Sequence, residues 1–210
     1  MSRFLPFAGA TSAVMTENPY APPVARVDEP VERAPGEFYV VASRKFLLLF
    51  VFTFGLYSIY WFYAHWALYK RFNGLKLWPV PRAIFQIFFT HILFRRIDQR
   101  LRRTVARSDW NAHMAASIYV GLLMVSWLSD RVLPENSSSS VLLVVLVLSI
   151  LLPALPLLSA QHAANRAEGD SSGASNRALT WANIAWIILG GLLWLLMLFG
   201  FYASIAGRLV

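Results

Sequence analysis

The chain has 210 residues, 57% of them hydrophobic and 15% aromatic, with a net charge of +8. Charged side chains make up only 14%, against roughly 25% in a soluble domain, which excludes a pair of soluble domains and fits one membrane bundle. No cysteine is present, so disulfides, thiolate metal sites and cysteine nucleophiles are excluded together.

Residues 1–40 read as a disordered, proline-rich tail. The segment "ENPYAPPVARVDEPVERAPGE" carries five prolines and charges of both signs, and such a segment buries too little apolar surface to offset ordering its backbone. A docking peptide in polyproline form is the alternative. Arg3 precedes a weakly apolar run broken by Pro6, Thr11 and Ser12. It reads as tail and not as a cleaved signal.

Four stretches then lack any Lys, Arg, Asp or Glu: residues 46–69, 113–129, 141–158 and 178–207. A helix satisfies its own backbone groups in hydrocarbon, and about 20 apolar residues cross it. The expected fold is all-α. A single membrane domain over 41–210 holds four spans at 46–66, 113–133, 141–158 and 181–202. The first is flanked by Arg44 and Lys45 and is crowded with rings. They read as a headgroup-level aromatic belt, or alternatively as a lipid or helix groove formed by Tyr57, Tyr60, Trp61 and Trp66.

The segment 82–107 reads as a basic amphipathic elbow helix. Phe94, Ile97, Leu101 and Val105 share one face, and Arg95, Arg96, Arg100, Arg102, Arg103 and Arg107 fill most of the rest. Those arginines are the expected lipid-contacting residues, and anionic membrane lipid is the expected partner in place of nucleic acid. A protein partner or a second copy of the chain is left open. Residues 70–109 hold ten of the nineteen Lys and Arg, which puts this loop on the cytoplasmic side and the next loop outside. Four crossings would then send the charged tail across the membrane, unless 83–94 dips into it. Further on, Pro153 and Pro156 are expected to kink the third span, and Gly190-Gly191 to allow close helix approach.

The first stretch reads Lys45-Phe46, then Thr53, Gly55, Leu56, Tyr57, Tyr60, Trp61, Tyr63 and Trp66. This Thr-x-Gly-Leu-Tyr-x-x-Tyr-Trp-x-Tyr-x-x-Trp pattern resembles a family of uncharacterised bacterial multispan inner-membrane proteins. The resemblance extends through "WPVPRAIFQIFFTHILFRRI" and "LTWANIAWIILGGLLWLL". It implies a bacterial inner-membrane location and supplies no activity.

His65, His91, His113 and His162 match no ligand spacing, so neither a metal nor another cofactor is expected. Gln161, Asn165 and Asn183 are candidates for a polar pocket, although amides near a membrane usually bond across helices as packing contacts. No residue is singled out as catalytic. The expected function is non-enzymatic: a structural, sensory or partner-binding membrane component. One rival is a small uncoupled transporter or channel, which needs a polar path between spans. The other is an integral-membrane enzyme acting on lipid, which clustering of His65, His91, His113 and Asp109 would favour.

Overall fold

The computed structural model describes residues 36–105, 107–134 and 137–206. The proline-rich tail and its signal-like start lie outside them up to residue 35. The described residues are helical, with no strand among them. The helices are α1 (Ser43–Phe52), α2 (Tyr57–Phe72), α3 (Pro79–Ile84), α4 (Gln86–Thr104), α5 (Ala112–Val132), α6 (Ser139–Ala167) and α7 (Trp181–Ala206). Among the described residues three helices, not four, are long and apolar enough to cross a membrane: α5 over Ala112–Ser129, α6 and α7.

The expected first span is a helical hairpin. Thr53 Oγ1 donates to the Leu49 carbonyl at 2.7 Å and accepts from the Tyr57 amide at 2.9 Å, so one side chain ends α1 and caps α2. Gly55, at φ 82°, sends its amide back to the Phe50 carbonyl at 2.8 Å, the six-to-one bond of a Schellman stop. Phe54, at φ 54°, holds the left-handed position of that stop, and Gly55 follows at a second positive φ, which glycine adopts without strain. Beyond the turn α2 runs back along α1. Phe46 meets Tyr57 and Trp61, at ring-centre distances of 5.7 and 6.4 Å. Before α1, Phe38 meets Tyr69 at 5.8 Å and Tyr39 meets Tyr60 at 6.0 Å. A continuous helix would place Phe46 and Trp61 about 22 Å apart.

Residues 36–40, inside the expected tail, belong to a strap ahead of α1. Phe38 and Val41 are fully buried. The elbow helix is two helices joined at Phe85, whose backbone (φ −91°, ψ 39°) leaves the helical region. α4 ends at Thr104, short of the expected 107. Its apolar stripe Phe94, Ile97 and Leu101 has no exposure, because α4 packs on α5 and α6. The stripe is therefore covered by protein, not by lipid.

α6 runs through Pro153 and Pro156 without breaking and reaches Ala167. Gln86 bonds Ser58, Tyr119 bonds Gln86, and the Trp194 ring stacks on Phe54 at 4.7 Å. These contacts place the hairpin tip against the middle of α5 and α7. Past that level α5, α6 and α7 continue alone for about 16–20 Å. Of the 26 residues of α7, only Gly190 is buried.

Candidate functional site

Among the described residues, four arrangements hold most of the polar chemistry. The first is a buried clasp. Gln161 and Asn165, one turn apart on α6, are both fully buried. Gln161 accepts from the Trp61 indole and donates to the Tyr39 carbonyl (2.9 Å) and to Asn165 Oδ1 (2.6 Å). Asn165 donates to the Val41 carbonyl at 2.9 Å and accepts from the Val41 amide at 3.2 Å. Every polar atom of the pair is engaged, three with the strap and one with Trp61 of α2, so these amides serve as packing contacts. Asn183 is not with them. It faces Thr180 across a reciprocal cap at the start of α7, at 3.1 and 3.3 Å.

The second is an ion cluster at the foot of the bundle. Arg100 Nε lies 3.6 Å from Glu37 and 3.7 Å from Glu168. Glu168 also accepts from the Glu37 amide at 3.2 Å. Burial pushes the Glu168 carboxyl up, and the Arg100 charge opposes that shift. Arg100 Nε thus faces two carboxylates that are remote in the chain. Arg96 lies over the Tyr69 ring at 5.9 Å. Arg95, Arg102, Arg103 and Arg107 are exposed, with Arg102 paired to Asp98 at 2.8 Å.

The third is a cleft of about 560 Å³ between α4 and the loop into α5, lined by His91, Arg95, Asp98, Arg102, Asp109 and His113 among others. The His91 and His113 rings are 5.4 Å apart, and His91 Nε2 lies 3.2 Å from Ser117 Oγ. His65 is elsewhere, fully buried, with Nδ1 accepting from the Tyr39 amide at 3.4 Å. His162 bonds Ser43 at 2.7 Å. Among the described residues no three His, Cys, Asp or Glu side chains are grouped to hold a metal.

The fourth is a groove between the hairpin and α7, with a volume of about 650 Å³. Of the four expected groove residues, Tyr57 and Tyr60 line it, whereas Trp61 and Trp66 are buried in the core. Sequence reading missed Lys45, Asn176 and Thr180 at its polar end. It also missed the Ser58–Gln86–Tyr119 chain at the hairpin tip, at 3.2 and 3.0 Å. A lone glutamine in an apolar segment was the available signal for that chain.

Asp170 shapes the loop that closes the groove. Its carboxylate accepts from the Ser175 amide at 2.8 Å, the Ala174 amide at 2.9 Å and the Ser172 hydroxyl at 3.3 Å. The Ser175 amide contributes most to holding its carboxyl down at about 2, against an ordinary 3.8. The folded value is depressed, so the stabilisation is present above about pH 4 and is lost as pH falls towards about 2. Thermal melts of the purified protein should show that decline. Asp170→Asn should melt lower at neutral pH and show a flatter acid limb; an unchanged acid limb would remove Asp170 from the loop's stability.

Comparison of the chain with family models, with curated proteins and with solved structures gives no match.

Proposed function

We propose that this chain is a non-enzymatic protein of the bacterial inner membrane, belonging with the multispan family its first apolar stretch resembles. In this reading α5, α6 and α7 cross the bilayer, and the α1–α2 hairpin enters only the cytoplasmic half. Its role is structural, sensory or partner-binding, with the exposed arginines of α4 facing anionic lipid. The observation that carries the reading is the exposure of α7. Trp181, Leu195, Leu196 and Phe199 are 66–83% exposed, an arrangement stable in hydrocarbon and not in water. The hairpin also relieves the problem of the tail. With three crossings the N-terminus and basic α4 share the cytoplasmic side, as the Lys and Arg distribution favours.

The lack of native cysteine makes the topology directly measurable. Single cysteines at Ser2, Lys76, Ser137 and Ser172 would be treated with a membrane-impermeant maleimide in spheroplasts. Only Ser137→Cys should label before the membrane is opened. Labelling of Ser2→Cys from outside would restore a fourth crossing and overturn the hairpin reading. The lipid role has its own readout in full-length protein reconstituted with spin-labelled lipids. Arg95→Gln/Arg102→Gln/Arg103→Gln should lose the wild-type preference for anionic over neutral lipid in the first shell. Equal preference in both proteins would leave the arginines as topology signals alone.

The second reading is an enzyme acting on lipid, favoured by the convergence of His91, His113 and Asp109 at one cleft. Ser117 and His91 form a hydroxyl–base pair, the minimal start of a nucleophilic site. Lipid turnover by reconstituted protein that disappears in His91→Gln would replace the first reading with this one.

A further inference from the structure

Among the described residues, Lys45 is a buried cation without an anion. It is 6% exposed, yet its ammonium donates only to two neutral oxygens: Asn176 Oδ1 at 2.7 Å and the Ala178 carbonyl at 2.8 Å. Among the described residues no carboxylate reaches it. An ammonium carries three N–H donors, so one is left over. A buried charge that stays unpaired is costly, and such charges are normally paired or bound to a ligand.

Lys45 lines the groove between the hairpin and α7. The groove is amphipathic along its length. Asn176, Thr180, Asn183 and Tyr60 surround the Lys45 end, and Leu56 and Leu193 form the other. From Ala182 to Leu193 its α7 wall runs about 16 Å. The volume of about 650 Å³ lies in the range of ordinary ligand sites. A free anion would satisfy Lys45 and leave the apolar end empty. An uncharged chain would fill the apolar end and leave Lys45 unpaired.

We propose that this groove holds one anionic phospholipid, with its phosphate on the Lys45 ammonium and an acyl chain along Leu56, Leu189 and Leu193. Lysine binds phosphate as a point charge, which suits a headgroup of variable chemistry. The lipid sits between the hairpin and α7, the least buried of the long helices, and ties the two together. The site is separate from the exposed arginines of α4, which meet bulk lipid. It rests on the reading that the hairpin enters the cytoplasmic half of the bilayer.

The test is native mass spectrometry of full-length protein released from micelles doped with phosphatidylglycerol or phosphatidylcholine. Wild type should keep one phosphatidylglycerol per chain under activation that strips all phosphatidylcholine. Lys45→Met should lower that retention at least tenfold. Arg95→Gln/Arg102→Gln/Arg103→Gln should keep it, which separates this site from the α4 surface. Lys45 also anchors the loop before α7, so Lys45→Met is compared with Leu193→Trp, which fills the apolar end and leaves the Lys45 bonds alone. Leu193→Trp should lose the lipid as well. Phosphatidylglycerol should raise the Tm of wild type but not of Leu193→Trp, and inorganic phosphate should raise neither. Four outcomes would overturn the inference: retention by both variants, equal retention of phosphatidylcholine, an equal Tm rise with inorganic phosphate, or a co-purified protein filling the groove. If three crossings are measured and no lipid is retained, the site fails while the topology stands.

Discussion

Gly190→Ala will separate the hairpin from α7. A β-carbon at Gly190 would sit 1.7 Å from the Phe52 carbonyl oxygen and 2.6 Å from its carbon. Both are backbone atoms at the end of α1, so no side chain can swing aside. The same contact brings the Trp194 indole to the Val51 carbonyl at 3.1 Å and its ring onto Phe54. Losing the close approach therefore also leaves a carbonyl at the end of α1 without its donor. Overpacking of this kind costs about 3 kcal/mol, which for a chain of this size corresponds to roughly 6–12 °C in Tm. The neighbouring glycine supplies the control. A β-carbon at Gly191 would lie 3.5 Å from the Phe52 ring, an ordinary contact, so Gly191→Ala should melt within about 1 °C of wild type. Equal melting of the two variants would show that α1 and α7 do not touch as described.

Gln161→Leu should release the strap. The substitution removes the acceptor of the Trp61 indole and the donor to the Tyr39 carbonyl, both in the buried interior. Each buried group left unsatisfied costs about 1–3 kcal/mol, so about 2–6 kcal/mol is expected for the two. Hydrogen exchange at the Val41 amide, which bonds Asn165, should accelerate more than at amides within α7. Asn183→Ala, which removes only a cap at the start of α7, should cost about 1 kcal/mol. If Gln161→Leu melts like wild type and instead abolishes a measurable activity, the clasp is a ligand site and its packing role is refuted.

The three long helices were legible in the sequence, because an uncharged run of sufficient length has few other uses. The hairpin was not. Residues 46–69 have the same length and hydropathy whether they cross or turn back, and a sliding window averages over the break. The deciding signal was local: Thr53 two residues before Gly55, a side-chain cap beside a residue that accepts positive φ. The stripe on α4 was legible as a buried face. Periodicity says which face is covered, not what covers it, and protein rather than lipid covers Phe94, Ile97 and Leu101. Arg100 was read with its exposed neighbours because its partners, Glu37 and Glu168, are remote in the chain. Lys45 was read as a flank of the first span, since a flanking charge and a buried one look alike without the fold. Gln161 and Asn165 lie together and Asn183 lies apart at the start of α7, because a shared residue type carries no information about distance.

The hairpin, the strap, α3 and α4 all crowd one end of the bundle, while the other end is three helices. In the proposed placement, the cross-section in the cytoplasmic leaflet is far larger than in the opposite leaflet. Such a cone presses lipids apart on one side only. On that placement a flat bilayer would relieve the mismatch by bending, with its cytoplasmic surface convex, and copies of this chain would share a preference for membrane of that curvature. The turn from Thr53 to Gly55 would then set a mechanical property. A chain that went straight through at that point would be a cylinder, and indifferent to the shape of the membrane around it.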